Sequence, residues 1–174
     1  DFLKTFEIAI QTGAILAVIF LYGREILIKK AIITRLIAGF LPAGIAGFLL
    51  YDFIRQLLSA PEVVVWALAL GGIGIILFEK WHRSLVAVQD DLGQISHSSA
   101  ILIGAFQIVS MVPGVSRAAA TIIGGEVAGL SRRAAVEFSF LLALPTMAGA
   151  TVLDLFKHAN QFSNIQFSHL ILGA

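Results

Sequence analysis

The sequence predicts an all-α fold, a polytopic membrane helix bundle that contains a re-entrant helix hairpin. Residues of the set AVILMFWYC make up 58% of the 174 residues and charged residues 13%, and the mean hydropathy is +0.92, beyond an ordinary soluble domain. Apolar stretches long enough to cross a bilayer recur along the chain, and one of them is broken in its middle. We therefore expect a single membrane domain over residues 1–174.

Charge and composition exclude two classes of function. The formal net charge of +1 provides no basic face for nucleic acid. Four His residues without any Cys provide no zinc-ligand spacing. The chain opens at Asp1 without the basic region of a signal peptide and stops inside the apolar run 170–174, so we expect a fragment truncated at both ends.

Four apolar runs predict membrane-spanning helices, since a helix needs roughly 17 to 25 apolar residues to cross the hydrocarbon core. The runs cover residues 5–22, 31–51, 63–78 and 134–156. Tyr22, Tyr51 and Trp81 lie at or just beyond the ends of runs, where amphipathic rings favour the headgroup level. We expect the boundaries to hold to within a few residues.

A fifth apolar region, residues 98–130, predicts the re-entrant hairpin. Pro113 and Gly114 break it into halves, 98–112 and 118–130, each short for a full crossing at about 1.5 Å per residue. Because lipid cannot satisfy the free N–H and C=O groups of such a break, we expect the break to face protein or a watery cavity.

The distribution of Lys and Arg favours the hairpin, because these residues are biased to cytoplasmic loops. If the hairpin enters and leaves from one side, eight basic residues share that side. They are Arg24, Lys29, Lys30, Arg35, Lys80, Arg83, Arg132 and Arg133. The opposite side carries Lys4, Arg55 and Lys157, and Arg117 belongs to neither side. A full crossing at 98–130 would separate the last two of the eight from the other six.

Arg117 and its neighbours predict an oxyanion cradle, because an ionised guanidinium within a bilayer usually faces a cavity or a partner. Ser116 can cap the half-helix after the break, and a helix N-terminus attracts phosphate or carboxylate. Arg117 adds a planar fork of donors, and Thr121 lies on the same helix face four residues later. The alternatives carry equal weight: a plain cap for Ser116 and a hydroxyl bonded to its own backbone for Thr121. For Arg117 alone, the equally weighted alternative is a structural salt bridge to Glu126, Glu137 or Glu7.

Other polar residues of the apolar regions are candidates to line the cavity. Glu7 and Gln11 share a helix face by their four-residue spacing, whereas packing across helices is the default for Gln107. The candidate substrate-binding residues are Gly114, Gln107, Gln11 and Glu7. The remaining carboxylates are each a functional group or half of a buried pair, and they are Glu126, Glu137 and Asp154. We expect Glu137 and Asp154 to lie near the membrane interface.

Together these residues resemble the undecaprenyl-pyrophosphate phosphatases, also called bacitracin-resistance proteins. The resemblance rests on Lys4-Thr5-Phe6-Glu7, residues 10–18, Gly104-Ala105-Phe106-Gln107, Pro113-Gly114-Val115-Ser116-Arg117 with Thr121, Gly129-Leu130-Ser131-Arg132, and residues 137–145. It implies an enzyme of the bacterial cytoplasmic (inner) membrane, multi-pass and with its active site towards the outer face. This enzyme removes a phosphate from the pyrophosphate of a polyprenyl carrier and recycles the carrier for cell-wall synthesis.

The resemblance also implies catalytic residues, a fold and binding partners. Ser116, Arg117 and Thr121 occupy matching catalytic positions, with Arg117 as the clamp on the transferred phosphoryl group. The family fold is an inverted repeat with two re-entrant hairpins. We expect a polyprenyl pyrophosphate lipid, the membrane and a divalent cation (Mg²⁺ or Ca²⁺) as partners, with a homo-oligomer left open and no nucleic acid. The family's first motif, with Glu, Ser and His, has no match, so we expect the isolated chain to be inactive.

The chain departs from the family pattern beside the cradle. The family usually reads Ser-Arg-Ser-Gly, whereas Ala118 and Ala119 follow Arg117 here, which predicts weaker phosphate binding and a less close approach of the backbone. Glu126 also occupies a place expected to be apolar. A membrane transporter or flippase for an anionic lipid or small anion is the main rival, since broken helices are also transporter architecture. A non-catalytic scaffold with Arg117 in an ion pair is the third interpretation.

Overall fold

The computed structural model describes Phe20 and residues 30–82 and 89–158, and the regular structure of these residues is helical apart from one isolated β-bridge. The α-helices of this part are α1 (Lys30–Leu49), α2 (Tyr51–Leu58), α3 (Pro61–His82), α4 (His97–Val109), α5 (Arg117–Val127) and α6 (Arg132–His158). A 3₁₀ turn, Leu92–Gln94, precedes α4. The predicted all-α fold is confirmed for the described residues.

Two described helices are long and apolar enough to cross a membrane by length and composition, Ala31–Leu49 and Pro61–Trp81. They coincide with the predicted runs 31–51 and 63–78. Only 6% of the most apolar window of Pro61–Trp81 is buried, so its large apolar side chains face outward, as they do on a helix surrounded by lipid. The predicted run 134–156 is helical throughout as part of α6, and the run 5–22 lies outside the described residues.

Helices α1, α4, α5 and α6 form the core, and glycines let their backbones approach closely. A Cβ atom at Gly104 of α4 would clash with the carbonyl oxygen of Gly39 in α1. On α5, a Cβ at Gly124 would lie 2.8 Å from Phe106 Cβ, and one at Gly125 would lie 2.8 Å from Ala135 Cβ. Small residues at crossing points are the usual means of helix association in lipid. Gly125 is therefore a packing glycine where α5 meets α6.

Helix α5 ends earlier than the predicted half 118–130. Gly129 has a φ of +88°, and the N–H groups of Gly129 and Leu130 donate to the carbonyls of Glu126 and Gly125, 3.0 Å in both cases. This pair of bonds is a Schellman motif, which stops a helix at a residue in the left-handed region. The spacing between Gly125 and Gly129 thus reflects one packing glycine and one helix-terminating glycine.

Candidate active site

The break between α4 and α5 has the predicted position and depends on a glycine. Residues 110–116 are non-helical, and Gly114 has a φ of +97°, in the left-handed region that side chains disfavour. A Cβ at Gly114 would lie 2.6 Å from the carbonyl oxygen of Val64 and 3.1 Å from Ala67 Cβ. The turn therefore rests directly on the first turns of α3, which leave no space for a side chain.

Ser116 is the N-cap of α5, as predicted. Its Oγ accepts a hydrogen bond from the N–H of Ala119 at 3.3 Å. In the part of the chain that the structure describes, the N–H groups of Arg117 and Ala118 have no acceptor. A half-helix with free N–H groups at its N-terminus has the positive dipole end that binds oxyanions.

The Arg117 side chain is half-buried and forms no hydrogen bond or ion pair with any described residue. Two of its three alternative partners are used elsewhere: Glu126 faces Arg132, and Glu137 pairs with Arg133. The third, Glu7, lies outside the described residues. Within residues 30–82 and 89–158 the structural salt bridge is therefore not formed, and the guanidinium is available to an external anion.

Thr121 is not brought into the cradle. Its side chain is buried, and its hydroxyl can donate to the Arg117 carbonyl at 2.9 Å or the Ala118 carbonyl at 3.2 Å, as in the backbone-bonded alternative. The same Oγ lies 2.5 Å from Ser139 Oγ of α6. Thr121 thus joins α5 to α6, which is a positioning arrangement.

Gln107 of α4 is buried, and its side chain faces α6. Its Nε2 donates to Thr146 Oγ1 at 2.8 Å, and the Thr146 hydroxyl donates to the Leu142 carbonyl at 2.6 Å. Gln107 Oε1 is fully buried and has no hydrogen-bond partner among the described residues. The two hydroxyl partners, Ser139 and Thr146, were not among the predicted site residues. Their seven-residue spacing, which places them on one face of an apolar helix, was the available signal.

The carboxylates of Glu79, Glu126 and Glu137 face basic residues other than Arg117. Glu126 is 4% exposed, and its Oε1 lies 3.8 Å from Arg132 Nε. Arg132 Nη1 also donates to both Glu79 carboxylate oxygens at 2.7 and 2.8 Å, and this hydrogen bond and charge raise the pKa of Arg132. Glu137 pairs with Arg133 at 3.1 Å across one helical turn. Gln11 and the Asp154 side chain, like Glu7, lie outside the described part of the structure.

The described residues do not fit a divalent cation. They contain no group of three or more His, Cys, Asp or Glu side chains that could hold a metal ion. The cradle itself presents a guanidinium and N–H donors, which repel a cation and attract an anion. A divalent cation therefore stays a prediction.

Comparisons with known proteins cover the whole chain. A protein-family model described as "Bacitracin resistance protein BacA" matches residues 1–174. A relative from Aquifex aeolicus, named undecaprenyl-diphosphatase, is 45% identical over 174 residues, 99% of this chain and 68% of the relative. Relatives of the same name from Sulfurihydrogenibium sp. and Wolinella succinogenes are 43% and 44% identical, over 98% and 99% of this chain and 67% of each relative. The chain spans about two thirds of the length of these relatives.

Proposed function

Because the chain belongs to the bacitracin resistance protein BacA family, we propose that it is the cradle-bearing part of a membrane phosphatase that hydrolyses undecaprenyl pyrophosphate. The products are undecaprenyl phosphate and phosphate, and the reaction recycles the carrier lipid of cell-wall synthesis. Beyond family membership, one observation carries the proposal. The half-buried guanidinium of Arg117, without an anionic partner among the described residues, lies at the N-terminus of a half-helix.

The cradle supports phosphoryl transfer by electrostatics. Negative charge develops on the phosphate oxygens as the anhydride bond breaks, and donors fixed in advance stabilise that charge without reorganising. Arg117 offers a planar fork of donors, and the free N–H groups of Arg117 and Ala118 add the helix dipole. Ser116 holds this first turn in place through its cap. A divalent cation belongs to the proposal as a further counter-charge, with ligands from outside the described residues.

We also propose that α4, the turn and α5 form a re-entrant hairpin. Two bonds support this, because they join the segment before α4 to the end of α5: Gln89 N–H donates to the Gly129 carbonyl at 3.2 Å, and Ser131 N–H donates to the Gln89 carbonyl at 2.8 Å. Arg35 binds the Ile95 carbonyl just before α4, and Arg132 binds Glu79 at the end of α3.

These contacts gather predicted cytoplasmic basic residues at the base of the hairpin, so the turn at Gly114 lies deeper in the bilayer, towards its outer face. The proposed arrangement is a multi-pass protein of the bacterial cytoplasmic membrane, with its active site towards the outer face and its chain forming part of an inverted repeat. Contact of the non-helical turn with α3 supports this placement, since lipid alone would leave the N–H and C=O groups of the turn unsatisfied.

An assay in detergent separates the enzyme from the transporter. The full-length protein is purified in detergent and given undecaprenyl pyrophosphate, and free phosphate is measured. A phosphatase releases phosphate in stoichiometric amounts without any sealed compartment. A flippase or transporter instead moves the intact lipid across sealed vesicles and releases none, and that result would reject the proposed function.

A further inference from the structure

The orientation of the Gln107 amide is fixed by its neighbours. Thr146 has a single hydroxyl hydrogen, and that hydrogen is directed to the Leu142 carbonyl at 2.6 Å. Thr146 Oγ1 therefore acts as the acceptor at 2.8 Å, and the amide nitrogen of Gln107 must face it. The amide oxygen is left as a fully buried acceptor with no donor among the described residues.

A buried acceptor without a donor costs about 1–3 kcal/mol, so native structures rarely leave one unoccupied. The missing group must carry a hydrogen. Ionised phosphate oxygens carry none and cannot bind an amide oxygen directly, whereas a water molecule can donate one hydrogen and keep its lone pairs free. The chemistry of this atom therefore selects water over the phosphate itself.

Gln107 lies at the broken end of α4, close in the chain to the cradle. Its main-chain carbonyl accepts hydrogen bonds from Ser110 N–H at 3.0 Å and Ser110 Oγ at 2.7 Å, where the helix gives way to the turn. Arg117 is the first residue of α5, on the other side of the same turn. A water molecule at Gln107 and an anion at Arg117 would thus lie at the two half-helix ends that flank the turn.

We propose that Gln107 Oε1 accepts a hydrogen bond from the water molecule that attacks the lipid pyrophosphate. This inference rests on the proposed function. The terminal phosphorus gains a bond to the water oxygen and loses its bond to the bridging oxygen. The bridging oxygen leaves with the electron pair on the polyprenyl phosphate, and the released proton goes to the phosphate products or to solvent. Gln107 takes no proton, because an amide oxygen is not basic at neutral pH. It orients the water.

The first test compares Gln107→Met with Thr146→Val in the full-length protein. Both variants remove the bond between Gln107 and Thr146, but only Gln107→Met removes the amide oxygen. We expect Gln107→Met to lower kcat for phosphate release roughly 100-fold with KM within about twofold, and Thr146→Val to lower kcat only about 10-fold, because the amide can then turn but keeps its oxygen. Equal losses in the two variants, or a Gln107→Met kcat within about twofold of the wild type, would overturn the inference.

A second variant keeps the inference testable if Gln107→Met does not fold. Gln107→Glu places a carboxylate oxygen at the same position, where it can take a proton from a water molecule that it touches. We expect the pH profile of kcat to gain an ionisation that the wild type lacks. An unchanged profile means that position 107 does not touch the attacking water.

Arg117→Ala in the same assay separates the two levels of the proposal. Loss of phosphate release in Arg117→Ala, together with wild-type behaviour of the Gln107 variants, rejects the role of Gln107 and leaves the proposed function standing. Absence of phosphate release by the wild type rejects the proposed function and this inference together.

Discussion

Gly114→Ala would place a methyl group at the contact between the turn and α3. The backbone there has a φ of +97°, and the new Cβ would lie 2.6 Å from the Val64 carbonyl oxygen. Neither atom belongs to a flexible side chain, so the conflict is relieved only if the turn or α3 moves. Because Arg117 follows three residues later, a displaced turn also displaces the guanidinium.

The expected cost has two parts. A non-glycine residue in the left-handed region costs about 1–3 kcal/mol, and overpacking against a rigid neighbour costs about 1–3 kcal/mol more. Gly114→Ala should therefore destabilise the protein by roughly 2–6 kcal/mol. Gly129→Ala is the matched control, because Gly129 has a φ of +88° but a Cβ added there would meet no other atom within 4 Å. It should show the backbone cost alone, about 1–3 kcal/mol.

Thermal unfolding of the purified full-length variants, together with phosphate release per folded molecule, measures both effects. We expect Gly114→Ala to be the less stable variant and to lose about 100-fold in kcat, as misplaced catalytic groups do. Gly129→Ala should retain the activity of its folded fraction. Equal stability of the two variants, with normal turnover by Gly114→Ala, would refute the role given to the contact with Val64.

Two further predictions concern the contacts that support α5. Arg132→Ala removes the guanidinium that faces the buried Glu126, so unfolding in detergent should show a loss of about 2–3 kcal/mol, whereas Glu79→Ala removes an exposed pair and should cost under about 1 kcal/mol. The reverse order of the two costs would contradict this. Thr121→Val and Ser139→Ala should each cost about 1 kcal/mol, with the double variant little worse than either, since they break one shared hydrogen bond. If Thr121→Val abolished phosphate release while Ser139→Ala did not, Thr121 would contact substrate instead.

Local sequence signals predict the break and its cap well. Pro113 followed by Gly114 disfavours a continued helix, and Ser116 is a residue type that caps the next one, so local chain chemistry predicts both features. The apolar pattern predicts an end of α5 at Leu130 rather than Val127, because apolar residues continue past the point where Gly129 reverses the backbone. The short α2, Tyr51–Leu58, is not predicted, since it lies beyond the apolar run that defines its neighbour.

Contacts between residues that are far apart in the chain could not be predicted from the sequence. The bond between Arg132 and Glu79 joins residues 53 positions apart, and that between Gln107 and Thr146 joins residues 39 apart. Such pairs depend on how helices cross, which hydrophobic periodicity does not specify. The sequence therefore predicts Arg117 as the centre of the proposed site but does not indicate that Thr121 faces α6.

The most direct test of the central claim is the kcat/KM for phosphate release from undecaprenyl pyrophosphate by folded Arg117→Ala, in the full-length protein. Arg55→Ala is the control, since Arg55 is an exposed cation near the Tyr51 ring. If Arg117 stabilises charge on the transferred phosphoryl group, its loss should lower kcat/KM by about 100-fold to 1,000-fold, with Arg55→Ala near the wild type. A kcat/KM for Arg117→Ala within about twofold of the wild type would contradict the account.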